Sequence, residues 1–268
     1  MSERYLKNSM QPLSAFNPSA HNIKFIFTDV DDTLTENGKL SPESYSALWR
    51  LRDSGFKIIP VTGGSAGLGH MIVRQWPVDA VIAESGALVY YMDDSQLKTF
   101  IHPSVADGKS MEKLNSVYDS IKKEFPLIRK AKDQFSRLYD LAIDYNEDYP
   151  RLGYETAVKI KGLCETLGAE AMISSIHVNI WFGDYCKKRM VELFAREHYG
   201  LTVDELKEKA IYCGDSPNDE PMFELLPLSF AVANILNFKN ELTHEPAYYA
   251  PSRCGRGFVE IAEKLLGC

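Results

Sequence analysis

From Ile23 onward, short apolar runs alternate with longer stretches whose apolar residues recur at helical spacing. Strands and helices taken in turn predict an α/β fold built on a parallel sheet. Residues 23–28 (IKFIFT) form the first expected strand. Ser41 and Pro42 then open a helix: a serine side chain can cap it, proline presets the first turn, and Tyr45, Leu48 and Leu51 supply one apolar face. Gly55 ends it. Strands over 56–61 and 78–83 flank a second helix over 65–75, which is the beginning of a Rossmann-like, doubly wound sheet.

The period changes after Gly86. A strand over 88–92 leads through a polar stretch and a loop over 102–108 into a helix with Met111, Leu114, Val117 and Ile121 on one side. Strands over 137–145 and 176–182 both alternate, with a helix over 155–167 between them. Alternating strands belong to an antiparallel sheet with one open face, so residues 93–184 read as an inserted α+β module. On its last strand Ile176, Val178, Ile180 and Phe182 share the core face, while Ser175, His177, Asn179 and Trp181 share the other. The parallel pattern resumes with a helix over 188–199, strands over 210–213 and 228–233, and a closing helix over 257–266. The expected division is a tail over 1–20, a core over 21–92 and 185–268, and the module between.

Composition narrows the setting. With 45% hydrophobic and 25% charged residues in 268, the chain is of globular type. A formal charge of −7 argues against general nucleic-acid binding, which needs clustered Lys and Arg. No apolar run approaches the roughly 18 residues of a membrane span, and Arg4 and Lys7 precede no apolar stretch of the secretion-signal kind. The five cysteines (Cys164, Cys186, Cys213, Cys254 and Cys268) are widely spaced, with no Cys-x-x-Cys pair. A cytoplasmic protein that engages neither nucleic acid nor membrane is expected.

Two acidic strings carry the chemistry. FTDVDDTLT, residues 27–35, delivers Asp29, Asp31 and Asp32 just past the first strand, at the sheet edge where α/β folds bind ligands. CGDSPNDEPM, residues 213–222, does the same past a later strand, with Gly214 making the exit and Asp215 and Asp219 four apart. Clustered carboxylates repel one another and add nothing to a core without a cation or a shared proton. Together these acids offer the hard oxygens that Mg²⁺ prefers; Asp219 at a helix start also suits a simple dipole partner. Thr62, followed by Gly63 and Gly64, places a hydroxyl and turn N–H groups where phosphate oxygens can be held. Lys187 supplies a positive charge, although the run Lys187-Lys188-Arg189 equally suits a solvated helix face.

In this order, Asp29-Val30-Asp31-Asp32-Thr33, Thr62, Lys187 and Gly214-Asp215-Ser216-Pro217-Asn218-Asp219, the chain resembles the haloacid dehalogenase superfamily of phosphohydrolases. The insertion between the second and third motifs resembles the larger α/β cap of its sugar-phosphatase branch (subfamily IIB), which also holds phosphomannomutases and trehalose-phosphate phosphatases. The resemblance implies an aspartyl-phosphate formed on Asp29 and a proton shuttle at Asp31. It implies Mg²⁺ held by Asp29, the Asp31 backbone carbonyl and Asp215, with Asp219 orienting them or, in some members, a direct ligand. Thr62, Gly63, Lys187 and Asn218 would bind the phosphoryl group, and the substrate would be a small phosphorylated metabolite, most readily a sugar phosphate. The cap would choose it, with Arg137, Tyr139, His177, Asn179 and Trp181 as candidate contacts; the same polar positions suit a face that merely meets water. Two positions depart from the branch: Gly64 stands where Arg is frequent and Ser85 where Asn is frequent.

Rival readings remain. TGGSAGLG, residues 62–69, matches the phosphate loop of short-chain dehydrogenases, with Glu84 as the ribose acid and Tyr118 to Lys122 as the catalytic pair. It follows the second strand rather than the first, and that NAD(P)-binding reading leaves both acidic strings without work. A phosphomutase would use the same Asp29 and pass the phosphoryl group to a second hydroxyl. The substrate itself and the oligomeric state are not written in the sequence.

Overall fold

Four consecutive buried residues, Phe25–Thr28, form the central strand, as an apolar run covered on both faces must. Lys57–Pro60 pairs with it on one side and Ala210–Gly214 on the other, both in parallel. Ser229–Ala231, Tyr248–Tyr249 and the edge strand Gln11–Pro12 extend the sheet, again in parallel. The chain thus leaves the central strand toward one side first and returns later on the other, which is the topological switch point of a doubly wound sheet. The computed structural model describes residues 10–105, 110–174 and 176–267. Ser175, the 106–108 part of the expected loop, most of the expected tail (residues 1–9) and Cys268 lie outside the described residues.

The chain divides into two compact units, residues 1–61, 75–81 and 191–268 in one and residues 62–74 and 82–190 in the other. In the first, Ser41 caps the helix Pro42–Asp53 by accepting from Ser44 N–H at 3.1 Å, and Gly55 follows it with φ +91°. Residues 10–16 are not a loose tail. Phe16 is 1% exposed and meets Phe230 and Tyr248 edge-on at ring distances of 4.9 and 5.1 Å, an aromatic anchor added to the strand pairing of Gln11–Pro12. The helix Val203–Lys209, which hydrophobic spacing did not reveal, is set by a capping box between Thr202 and Glu205.

The second unit contains a hairpin, Leu88–Asp93 with Gln96–Ile101, turning on Asp94 and Ser95, both left-handed. A four-stranded antiparallel sheet follows in the order Glu170–Ile173, His177–Trp181, Asp140–Asp144, Arg129–Lys130. Helices Ser110–Glu124 and Tyr154–Thr166 cover one face, where Leu114, Val117, Ile121, Ala157 and Ile160 pack on Leu141, Ile143, Val178 and Ile180. The other face was expected to be open. It is closed: Asp140–Asp144 and His177–Trp181 are buried throughout, because its polar side chains find partners inside the unit.

Candidate active site

Asp29 N–H donates to Cys213 O at 2.8 Å, which continues the pairing of the two central strands by one residue beyond Thr28. Parallel neighbours end at the same edge, so Asp29 and Asp215 emerge side by side from strands that pairing holds about 4.8 Å apart. Asp29, Asp215 and Asp219 each place one carboxylate oxygen within 4.8 Å of the others', and all three residues are buried. Asp219 is fixed twice: its Oδ1 accepts from Tyr212 O–H at 2.5 Å and its Oδ2 from Asp215 N–H at 3.0 Å. Gly214 makes room for this, since a Cβ there would lie 2.7 Å from the Asp219 carboxyl carbon. Burial, and next the charge of Asp219, push the Tyr212 phenol well above its ordinary value, so it stays protonated and can only donate to that oxygen.

Three buried carboxylates this close are unfavourable unless something positive sits among them. The donor set is all oxygen and anionic, which fits a hard divalent cation rather than a soft metal. The remaining capacity of Asp219 is reduced by its two donors, which suits an orienting place behind Asp29 and Asp215.

Asp31 stands apart from the three: its side chain is exposed, two residues past Asp29. Between them Val30 is 2% exposed and its carbonyl accepts from Leu34 N, Thr35 N and Thr35 Oγ1, which ties the loop into a turn. Asp32 adopts φ +58° there, and its carbonyl accepts from Asn234 Nδ2 at 3.3 Å. Asn218 lies half-buried in the single turn Pro217–Asp219.

Thr62, Gly63 and Lys187 belong to the second unit. Thr62 is fully buried, donates its N–H to Ile82 O, and accepts from Gly64 N–H at Oγ1 over 2.8 Å. Lys187 is buried and begins the helix Lys187–Tyr199. The chain just before it passes over Gly86, where an added Cβ would lie 2.7 Å from the Cys186 carbonyl carbon and 3.2 Å from Lys187 N. In the pair Ser85-Gly86 the glycine, with φ +114° and the Cys186 carbonyl this close, is the residue that the fold requires.

The proposed substrate wall is differently used. Arg137, read from the sequence as facing a ligand, is buried and gives its guanidinium to Asp140 (Nη1 to both oxygens, 2.9 Å), Asp133 (3.0 and 3.1 Å) and Gly63 O (3.0 Å). These two carboxylates hold it firmly charged against its burial. His177 Nε2 meets Glu147 at 2.8 Å, and Trp181 Nε1 donates to Tyr185 O at 3.1 Å, with the two rings stacked. Asn179 Nδ2 donates to Gly63 O at 2.9 Å, which leaves Oδ1 as a buried acceptor without a partner; the Tyr185 hydroxyl is likewise buried and unpartnered. Tyr139 is half-buried, and burial raises its phenol above the ordinary value.

Glu84 settles the dehydrogenase rival. Its carboxylate is fully buried and accepts four backbone N–H groups, those of Ala66, Leu138, Tyr139 and Asp140, so no oxygen is turned out toward a ribose. Tyr118 packs against the module core and Lys122 donates to Ile128 O, neither arranged as a catalytic pair. Periodicity missed Glu84 and Tyr212 as site-building residues, the first because it sits at a strand end, the second because it sits inside an apolar strand.

Residues 26–132 match the family model of the haloacid dehalogenase-like hydrolases. Similar folds occur in a protein of Thermoplasma acidophilum, 20% identical with a TM-score of 0.70 over 92% of this chain and 99% of that one. A phosphatase of this superfamily from Bacteroides thetaiotaomicron is 21% identical, with a TM-score of 0.64 over 95% and 99%. A subclass IIB sugar phosphatase is 13% identical, with a TM-score of 0.63 over 91% and 99%. A search of curated proteins finds no match. Among the described residues no helix is long and apolar enough to cross a membrane, and Cys164, Cys186, Cys213 and Cys254 are free thiols.

Proposed function

We propose that the protein is a Mg²⁺-dependent phosphatase acting on a small phosphomonoester, a sugar phosphate by preference, through a covalent intermediate on Asp29. The observation that carries this reading is the buried trio Asp29, Asp215 and Asp219. Bound by Asp29, the Asp31 carbonyl and Asp215, Mg²⁺ would supply the charge neutralisation that lets a carboxylate approach a phosphate.

An Asp29 oxygen attacks phosphorus while the ester P–O bond breaks, and Asp31 gives its proton to the departing alkoxide. Water then attacks the aspartyl-phosphate; Asp31 takes the water's proton, inorganic phosphate leaves, and Asp29 is restored. An exposed carboxyl at 31 suits this exchange, because it can be charged and discharged through solvent, a role typically worth about 10² to 10⁴ in rate. Thr62, Gly63, Lys187 and Asn218 serve the phosphoryl oxygens in this scheme. Residues 93–184 act as the cap. The preference for a hydroxylated substrate is supported by the buried acceptor Asn179 Oδ1 and the Tyr185 hydroxyl, which no protein group satisfies.

The test is a phosphate-release assay on an aryl phosphate and a panel of sugar phosphates. Release should need Mg²⁺, stop with EDTA, and vanish in Asp29→Asn. Metal-independent release would overturn the scheme, and turnover that conserves total ester phosphate would replace hydrolysis by transfer to a second hydroxyl.

A further inference from the structure

Every carbonyl of the turn Thr62-Gly63-Gly64 is held by a donor distant in sequence. Thr62 O accepts from Ser85 N–H and Gly64 O from Glu84 N–H, at 3.1 and 2.9 Å. Gly63 O accepts from two side chains, Arg137 Nη1 at 3.0 Å and Asn179 Nδ2 at 2.9 Å. Glu84 and Ser85 reach these positions in left-handed backbone, φ +48° and +56°, a conformation unfavourable for side-chain-bearing residues that persists only where surroundings impose it. The Glu84 carboxylate adds the tie to Ala66 N–H at the start of the next helix, and its other bonds fix residues 138–140, next to Arg137.

The consequence lies in the peptide plane between Gly63 and Gly64. In a trans peptide the C=O and the following N–H point oppositely. With the Gly63 carbonyl drawn to Arg137 and Asn179, the Gly64 N–H points the other way, and it donates to Thr62 Oγ1 at 2.8 Å. A hydroxyl that accepts from a backbone N–H has its own hydrogen to place elsewhere. A peptide plane turned in this sense occupies one lone pair of the Thr62 hydroxyl and leaves its hydrogen to donate.

We propose that Arg137 and Asn179 are positioning residues of the phosphate turn: by holding the Gly63 carbonyl they orient Gly64 N–H onto Thr62 Oγ1 and so aim the Thr62 hydroxyl hydrogen at a phosphoryl oxygen. Glycine at position 64 brings no side chain to hold the middle carbonyl of the turn, and residues 137 and 179 hold it. This inference rests on the phosphatase reading, in which Thr62 contacts phosphate.

The probe is inorganic phosphate with Mg²⁺, measured as a competitive inhibitor and by calorimetry, because it has no organic part for a specificity residue to touch. Asn179→Ala should raise its inhibition constant about 3- to 10-fold, the loss expected for one hydrogen bond, and raise KM for an aryl phosphate in parallel. Asn179→Asp, which sets an acceptor against the Gly63 carbonyl, should be worse than Ala. In a Thr62→Val background Asn179→Ala should have no further effect, since its route through the hydroxyl is gone. Arg137→Lys keeps one donor and should fall between wild type and Asn179→Ala; should Arg137 variants fail to fold, the residue 179 series decides. Unchanged phosphate affinity in folded variants, or effects additive with Thr62→Val, would overturn the proposal. Should the wild type bind phosphate without hydrolysing any ester, the phosphatase reading fails while the positioning series is still read by calorimetry; should it bind none, both fail.

Discussion

Tyr212 points its hydroxyl at Asp219 from within the strand Ala210–Gly214, and the 2.5 Å bond holds one carboxylate oxygen while Asp215 N–H holds the other. Both oxygens of the acid four residues beyond Asp215 are therefore held in place by the fold. Tyr212→Phe removes only the donor and keeps the ring that meets Phe223 at 5.8 Å. The Mg²⁺ concentration for half-maximal phosphatase activity should rise by at least about 10-fold, the usual consequence of losing a group that orients a ligand. Stability should fall by about 1–3 kcal/mol for a buried oxygen left unpaired. A magnesium titration beside a thermal melt checks both, and a wild-type metal requirement would show that the Tyr212 phenol does not orient Asp219 for the metal.

This bond also shows where sequence reading stops. Two acidic strings past two apolar strands were legible because both the period and the charge anomaly are local. That they converge depends on those strands being parallel neighbours, which the fold supplies through the pairing of Thr28 with Cys213. Tyr212 carries no local signal, since in a run reading AIYC a tyrosine looks like one more apolar residue. Gln96–Ile101 was invisible for another reason: its turn uses Asp94 and Ser95 in place of a glycine pair. On the strand His177–Trp181 alternation predicted the two faces correctly but not their burial, because Glu147, Gly63 O and Tyr185 O, all outside the strand, partner His177, Asn179 and Trp181 and let polar side chains go inside.

Gly86 tests how Lys187 is placed. It has φ +114°, and an added Cβ would meet the carbonyl of Cys186, so Gly86→Ala is strained twice over. The expected cost is about 1–3 kcal/mol from the backbone conformation, seen as a lowered Tm. Relief of the contact must move Cys186 and Lys187, so KM for an aryl phosphate should rise together with the inhibition constant of inorganic phosphate. Gly55→Ala, at φ +91° with nothing within 4 Å of the new Cβ, is the control: it should lose stability without changing either constant.

Asp140 gives the second unit a pH dependence with a definite sign. Burial pushes its carboxyl from the ordinary 3.8 up to about 7, Arg137 pulls against that shift, and Glu84 adds to it. Between those two values the folded chain holds a proton that the unfolded chain has released. The unfolded state then binds fewer protons, so stability drops as pH rises across this window and levels off on either side. Asp140→Asn is neutral throughout and can still accept from Arg137 Nη1, while Asp133 remains as the counter-charge. Its unfolding free energy should be lower overall, yet the decline from about pH 4 to about pH 7 should be shallower than in the wild type. Urea unfolding at intervals across that range measures the slope, and parallel curves for the two proteins would mean that Asp140 is ionised in the fold as readily as in the open chain.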